Sequence, residues 1–109
     1  MKLLMLAMAL AWGSAGAVTY SESQRLTIWK ALDALDVQSE QAADRAFPEG
    51  CNASVEQMNR HAKLSAKLVD KGMKALFKKY KLTDNQYLDI SSEGDDKGWP
   101  HMPYTKPGC

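Results

Sequence analysis

The sequence contains few of the residues from which chemical sites are usually built. Its 109 residues include only two cysteines and two histidines. There is no C-x-x-C-H segment for covalent haem and no closely paired cysteines for zinc. No nucleophile-elbow sequence is present either. These absences exclude the motif-defined classes of enzyme and metalloprotein. They predict a protein that is not an enzyme, with no cofactor, no catalytic residue and no metal site.

Charge of one sign is not in excess. The sequence has 14 basic and 13 acidic residues, and loss of Lys2 with the N-terminal segment described next would leave no net charge. A neutral chain is not typical of a protein that coats nucleic acid. Aromatic residues do not alternate with the basic ones, as they do in single-strand binders. Nucleic acid is therefore not a predicted partner.

Long apolar runs are absent except at the N-terminus. Lys2 precedes an apolar run from Leu3 to Ala11, and Ala15-Gly16-Ala17 supplies small residues for a signal peptidase. A membrane span needs about 20 apolar residues, which is more than this run provides. We predict a secretory signal over residues 1–17 that is cleaved before Val18. Residues 18–109 would then form a single small helical domain in the periplasm or outside the cell.

Export would place both cysteines in an oxidising compartment. Only one pairing within the chain is possible, so we predict a disulfide between Cys51 and Cys109. By loop-closure entropy it would stabilise the fold by at most about 4 kcal/mol. A free thiol pair or a bridge between two chains remains the alternative.

Three helices and no strands are expected, which makes the fold class all-α. The first helix should run from about Glu22 to Phe47, starting at a Ser21–Gln24 capping box and ending before Pro48. The second follows Asn52 or Ser54 and reaches Lys79 or Tyr80, with Gly72 allowing another element to approach closely. Together these two helices would form a long antiparallel hairpin.

A short third helix is predicted from about Asp84 to Ser92. It begins at a Thr83–Gln86 capping box and stops at Gly94, with Leu88 and Tyr87 facing inward. The rest of the chain, rich in proline and aromatic residues, should be an extended C-terminal tail that folds back over the helices. The predicted disulfide would clip it in place.

The strongest pattern is a line of basic residues on the second helix, here called the lysine face. Its members recur every three or four residues and fall within about 80° of the helix circumference: Arg60, Lys63, Lys67, Lys71, Lys74, Lys78 and Lys81. The opposite side is apolar and is expected to face the core: Val55, Met58, Ala62, Val69, Met73, Leu76 and Tyr80. The segment Arg60–Lys81 carries a charge of +7, with eight basic residues and one acidic residue.

Three readings of the lysine face are open. It can be a solvated surface, a binding surface for an acidic protein or an envelope polyanion, or a membrane-surface helix. An acidic stripe on the first helix, formed by Asp33, Asp36, Glu40 and Asp44, can also lie alongside part of it. The leading functional hypothesis is a non-enzymatic, exported binding protein that uses the lysine face for an acidic partner. The sequence predicts no oligomeric state.

Two weaker metal signals remain. Residues 89–100 superficially resemble a calcium loop, but Pro100 stands where a bidentate glutamate is required. A solvated acidic turn is therefore expected there. His101 and Met102 beside Trp99 would suit copper(I), which makes a small metal carrier the third hypothesis.

Overall fold

The computed structural model describes residues 18–50 and 52–107. These residues form three α-helices: α1 (Glu22–Ala46), α2 (Val55–Tyr80) and α3 (Asp84–Lys97), with no strand among them. The predicted all-α class is confirmed. The predicted signal segment, its cleavage point before Val18, and both Cys51 and Cys109 lie outside the described residues. Within the described part of the chain, no helix has the length and apolarity needed to cross a membrane.

The helices begin where capping residues stand. Ser21 caps α1 and Thr83 caps α3, and in both cases a glutamine three residues later completes the reciprocal capping box. Ser54 caps α2 by accepting a hydrogen bond from the Gln57 amide at 3.0 Å. The Gln57 side chain instead donates to the Pro48 carbonyl. It therefore ties the start of α2 to the end of the α1–α2 connection.

The ends of α2 and α3 share one geometry. Each is followed by a residue in the left-handed region, Lys81 with φ 51° and Gly98 with φ 64°. The next amide then reaches back into the helix: Leu82 N–H donates to the Phe77 carbonyl at 2.9 Å, and Trp99 N–H to the Gly94 carbonyl at 2.9 Å. This Schellman arrangement satisfies carbonyls that the last helical turn would leave unpaired.

The prediction that Gly94 stops the third helix is wrong. The helix continues to Lys97, and Gly98 supplies the positive φ that ends it. Gly94 is buried within the helix, where a Cβ would lie 2.0 Å from Nε1 of Trp29. Its role is close packing against the indole. Gly72 plays the predicted role in α2, since a Cβ there would lie 2.2 Å from Cδ1 of Leu35.

The apolar core is small and lies where the first half of α1 meets α3 and the end of α2. Its buried members are Ile28, Trp29, Leu32, Leu82 and Ile90. Partly buried side chains surround them: Tyr20, Met73, Leu76, Phe77, Tyr80, Tyr87 and Trp99. Tyr87 packs inward as expected, with its ring 5.6 Å from that of Phe77. Leu88 does not, since it is 57% exposed.

The apolar face predicted for α2 is only partly in the interior. Its later members border the core, but Val55, Met58 and Ala62 are exposed. The one buried residue of α2 is His61. His61 and Ser65 reach side chains of α1, and Gly72 lies against Leu35. The surface of α2 that meets α1 is therefore rotated about 60° from the centre of its apolar side.

An ion-pair network holds α3 to the start of α1. The Arg25 guanidinium donates to both carboxylate oxygens of Glu93, at 2.6 and 3.0 Å. Lys97 bridges Glu93 and Glu22 at 2.7 and 2.9 Å. The hydrogen bonds from Arg25 and Lys97 lower the pKa of Glu93 to about 2. Glu93 is therefore ionised at any ordinary pH.

The packing of the two helical glycines predicts an order of stability losses. Gly94→Ala should destabilise the fold by about 1–3 kcal/mol, because a rigid indole cannot yield to the new methyl group. Gly72→Ala should cost less, because a Leu35 methyl group can rotate away. Urea unfolding followed by circular dichroism measures both.

Ser92→Ala is the control for helix propensity, since Ser92 is exposed in the same helix as Gly94. We expect it to change the free energy of unfolding by no more than about 0.5 kcal/mol. A Gly94→Ala protein as stable as the wild type would contradict the packing described for Trp29.

Candidate functional site

The lysine face is exposed along its whole length. All seven of its residues are solvent-exposed, six on α2 and Lys81 at its C-terminal cap. They are exposed because His61 faces α1, and the lysine face is centred about 120° around the helix from His61. The surface is about 30 Å long, at 1.5 Å of rise per residue.

Little of this charge is neutralised nearby. Within the described residues, the ion pairs of the lysine face are both within α2: Arg60 with Glu56 at 2.7 Å and Lys74 with Asp70 at 3.2 Å. Both are exposed pairs one helical turn apart, which contribute only about 0.3–0.5 kcal/mol. The other five cations have no ion pair in that part of the chain.

The acidic stripe of α1, which the sequence allowed to lie alongside part of the lysine face, forms no ion pair with it among the described residues. Three of its four members, Asp33, Glu40 and Asp44, instead contact the C-terminal tail or His61. Asp33 accepts hydrogen bonds from the Met102 backbone amide and, at 2.7 Å, from Nδ1 of His101. Glu40 and Asp44 both bind Lys106. Tail residues thus pair with most of the stripe, and the lysine face remains exposed to solvent.

Aromatic contacts also hold the tail to α1. The Trp99 ring packs edge-on against Trp29 with centroids 6.0 Å apart, and the His101 ring lies 4.9 Å from Trp29. Tyr104 donates its hydroxyl hydrogen bond to Asp44. The tail therefore follows α1 from the apolar core toward the end of the helix.

A second polar centre lies near the α1–α2 connection, and we call it the carboxylate–histidine cluster. It consists of Glu40, Asp44, Glu49 and His61. Nε2 of His61 lies 2.7 Å from Asp44, 3.5 Å from Glu40 and 3.6 Å from Glu49. The Lys106 ammonium contacts the same three carboxylates, at 2.9 Å for Asp44 and 3.4 Å for Glu49, with Glu40 the closest.

Two hydroxyl groups hold the outer oxygens of this cluster. Tyr104 donates to Oδ2 of Asp44, while Oδ1 of the same carboxylate faces His61 and Lys106. Ser65 donates to Oε1 of Glu40 at 3.4 Å, while Oε2 faces inward. Each of the two carboxylates therefore has one oxygen fixed from outside and one directed at the centre.

The charges in the cluster are stabilised by these contacts. Burial of Asp44 would raise its pKa, but hydrogen bonds from Tyr104, Lys106 and His61 outweigh burial and lower the pKa to about 2. The hydrogen bond to Glu40 is the main cause of a raised pKa for Lys106. An ionised carboxylate can be almost fully buried here because three donors surround it.

We predicted no metal site from the sequence, and these four residues were not recognised as a cluster. Glu40 and Asp44 were identified only as part of the acidic stripe, and His61 only as one of two histidines. The missed signal is that Glu40 and Asp44 lie one turn apart near the end of α1, while His61 lies near the start of α2. Counting outward from the α1–α2 connection places them near one another.

The structure assigns other roles to the residues of the two weaker metal signals. Residues 89–97 belong to α3, so neither the calcium loop nor the predicted solvated turn is present there. His101 uses Nδ1 to contact Asp33, and the Met102 amide binds the same carboxylate. Both residues therefore anchor the tail to α1.

A half-open cleft between the three helices adds a small third feature. It has a volume of about 190 Å³ and is lined by acidic, aromatic and apolar side chains, among them Asp36, Met73, Tyr87 and His101. Burial, together with the neighbouring Asp33, raises the pKa of Asp36. The volume is below the roughly 300–1,000 Å³ of usual small-molecule sites.

The contact between His101 and Asp33 predicts a titration. The hydrogen bond and the negative charge of Asp33, together with the charge of Asp95, raise the pKa of His101 above 6.5. The pair should thus stabilise the docked tail fully below pH 6.5, and this contribution should be lost as the pH rises through the pKa of the folded protein. We expect Asp33→Asn to return the His101 pKa toward 6.5, measured by NMR titration of the imidazole signals.

Asp89→Asn is the matched control, because Asp89 is exposed on α3 and makes no contact with His101 among the described residues. It should leave the His101 titration almost unchanged. A His101 pKa that is the same in Asp33→Asn and in the wild type would contradict the docking of the tail.

Comparisons of the chain with protein-family models, with curated proteins and with solved structures give no match.

Proposed function

We propose that this chain is an exported, non-enzymatic binding protein, and that the lysine face attracts an acidic partner. The observation that carries the proposal is the exposure of all seven basic residues, five of them without an ion pair among the described residues. Asp33, Glu40 and Asp44 of α1 do not compensate them, because these side chains are bound to the tail and to His61.

The spacing of the charges indicates what kind of partner fits. Neighbouring members lie one helical turn apart, within the Debye length of about 8 Å at physiological salt, so their fields add. Lysine is a compact, flexible cation that suits diffuse attraction rather than shaped recognition of a single phosphate. A line of charge about 30 Å long therefore suits an extended acidic surface, and we propose an acidic protein segment.

We further infer that α1 and α2 form an antiparallel hairpin. Its support is the order of their contacts: Asp44 meets His61, Glu40 meets Ser65, and Leu35 meets Gly72. Moving back along α1 thus corresponds to moving forward along α2. We also propose a Cys51–Cys109 disulfide, which would tie the end of the tail to the α1–α2 connection. An intact mass that rises by two hydrogens on reduction is the result expected for it.

The binding proposal is tested with poly-glutamate as a defined acidic chain. Lys67→Gln/Lys71→Gln should weaken binding at low salt by about tenfold or more, since each lysine near an anionic surface contributes about 1 kcal/mol. Lys30→Gln/Arg45→Gln is the matched control. It removes the same two charges from exposed positions on α1 and should have a much smaller effect.

Equal losses in the two double variants would contradict a specific lysine face, because net charge alone would then explain binding. Binding unchanged in a protein with Lys63, Lys67, Lys71 and Lys74 all replaced by glutamine would contradict the proposal outright. Crosslinking in the native exported fraction, with the same variants, then identifies the partner.

A membrane-surface role is the second candidate, favoured by the exposed apolar residues at the start of α2. Val55 is 69% exposed and Met58 41% exposed, close to Arg60 on the same helix. Apolar and basic side chains together are typical of helices that lie on anionic bilayers. Flotation with anionic vesicles, reduced by Val55→Ser/Met58→Ser, would support this role. No vesicle binding at low salt would exclude it.

A further inference from the structure

We propose that Glu40, Asp44, Glu49 and His61 form a binding site for a divalent cation, and that Lys106 on the tail occupies the place of that ion. This inference is independent of the lysine face, which is centred about 120° around α2 from His61.

Four potential ligand atoms converge in this cluster. One oxygen from each of the three carboxylates and one ring nitrogen of His61 lie within 4.8 Å of one another. Ligands at about 2.0–2.2 Å around a tetrahedral ion would be roughly 3.4 Å apart. The distances of 2.7, 3.5 and 3.6 Å from Nε2 of His61 to Asp44, Glu40 and Glu49 are close to that spacing. Small side-chain movements, together with release of the proton on Nε2 of His61, would therefore bring these four atoms to the spacing of metal ligands.

The cluster already binds a cation, the ammonium group of Lys106. The Lys106 ammonium contacts all three carboxylates, so these oxygens are arranged around one positive charge. One ammonium leaves two negative charges of the three uncompensated, before His61 is counted. A divalent ion has the charge that this excess attracts.

Hydrogen bonds from outside the cluster orient two of its carboxylates. Tyr104 and Ser65 each bond to the outer oxygen of a carboxylate and leave the inner oxygen of Asp44 or Glu40 toward the centre. Outer hydrogen bonds of this kind orient the ligands in metal sites. Because Tyr104 bonds to Oδ2 and Lys106 to Oδ1, the lysine can leave while the tyrosine stays.

The ligand atoms indicate which ions the site would bind, and a groove beside it gives an ion access. One imidazole with three carboxylates suits zinc or manganese(II) rather than copper(I), which prefers sulfur. Glu40 and His61 also line an open groove of about 710 Å³ between α1 and α2. An ion can reach the cluster from this groove without disturbing the apolar core.

Lys106 would lower the affinity of the site for a metal ion. An ion competes with a tethered ammonium, and the observed affinity falls by the fraction of molecules in which the site is free. Removing the ammonium should therefore tighten binding, whereas removing a carboxylate should weaken it. If these residues only stabilised the fold, the two substitutions would not change metal affinity in opposite directions.

The test is calorimetric titration of the chelator-treated full chain with zinc chloride and with manganese chloride. Lys106→Met should bind either ion about tenfold or more tightly than the wild type. Glu49→Gln should bind at least tenfold more weakly. Glu49 lies outside the helices, so this variant spares the buried Asp44–His61 pair.

His101→Gln is the control for the other histidine and should leave the affinity unchanged. NMR with manganese(II) gives a second readout, in which the ring signals of His61 should broaden before those of His101. The inference is overturned if Lys106→Met binds no more tightly than the wild type. It is equally overturned if His101, rather than His61, broadens first.

Discussion

Asp44 is an almost fully buried carboxylate, and the arrangement of the chain around it follows from the need to satisfy its charge. A buried ionised group is tolerated only when it is paired and hydrogen-bonded. Here His61 comes from α2, while Tyr104 and Lys106 come from the tail. One side chain of α1 thus fixes where two other segments must lie.

The orientation of α2 is the main consequence. Turning His61 toward Asp44 directs the basic side of the helix away from the domain, and it leaves Val55 and Met58 exposed. The apolar residues of α2 enter the core only in its second half, where Met73 and Leu76 pack against the buried cluster. The molecule therefore has an apolar core at one end and a charged cluster at the other. The exposure of the lysine face follows from this division.

Local patterns predicted the helices well, because helix boundaries depend on neighbouring residues. Ser21 with Gln24, and Thr83 with Gln86, form capping boxes where their spacing indicated. The end of α3 was misassigned because two glycines lie near it. Only the position of Trp29, far away in sequence, shows that Gly94 serves packing and Gly98 serves the turn.

The candidate sites show the same distinction. The lysine face lies on one helix, so its period was enough to predict it. The carboxylate–histidine cluster joins residues from α1, the connection, α2 and the tail, and no periodicity reports how such segments align. The sequence revealed the acidic stripe but not the tail residues that pair with it. A helical period shows which residues share a face, but not which segment covers that face. The apolar pattern predicted that Ala62 would face the interior. In the structure His61 is the buried residue instead, because it contacts the carboxylate of Asp44.

The central claim is that His61 and Lys106 act on the same buried carboxylates and so hold α2 and the tail through one cluster. A double-mutant cycle on the free energy of unfolding, with His61→Gln, Lys106→Met and the combined variant, tests it directly. Residues that share a buried partner should show a coupling energy of at least about 1 kcal/mol. Single effects that add to within about 0.5 kcal/mol would contradict the account.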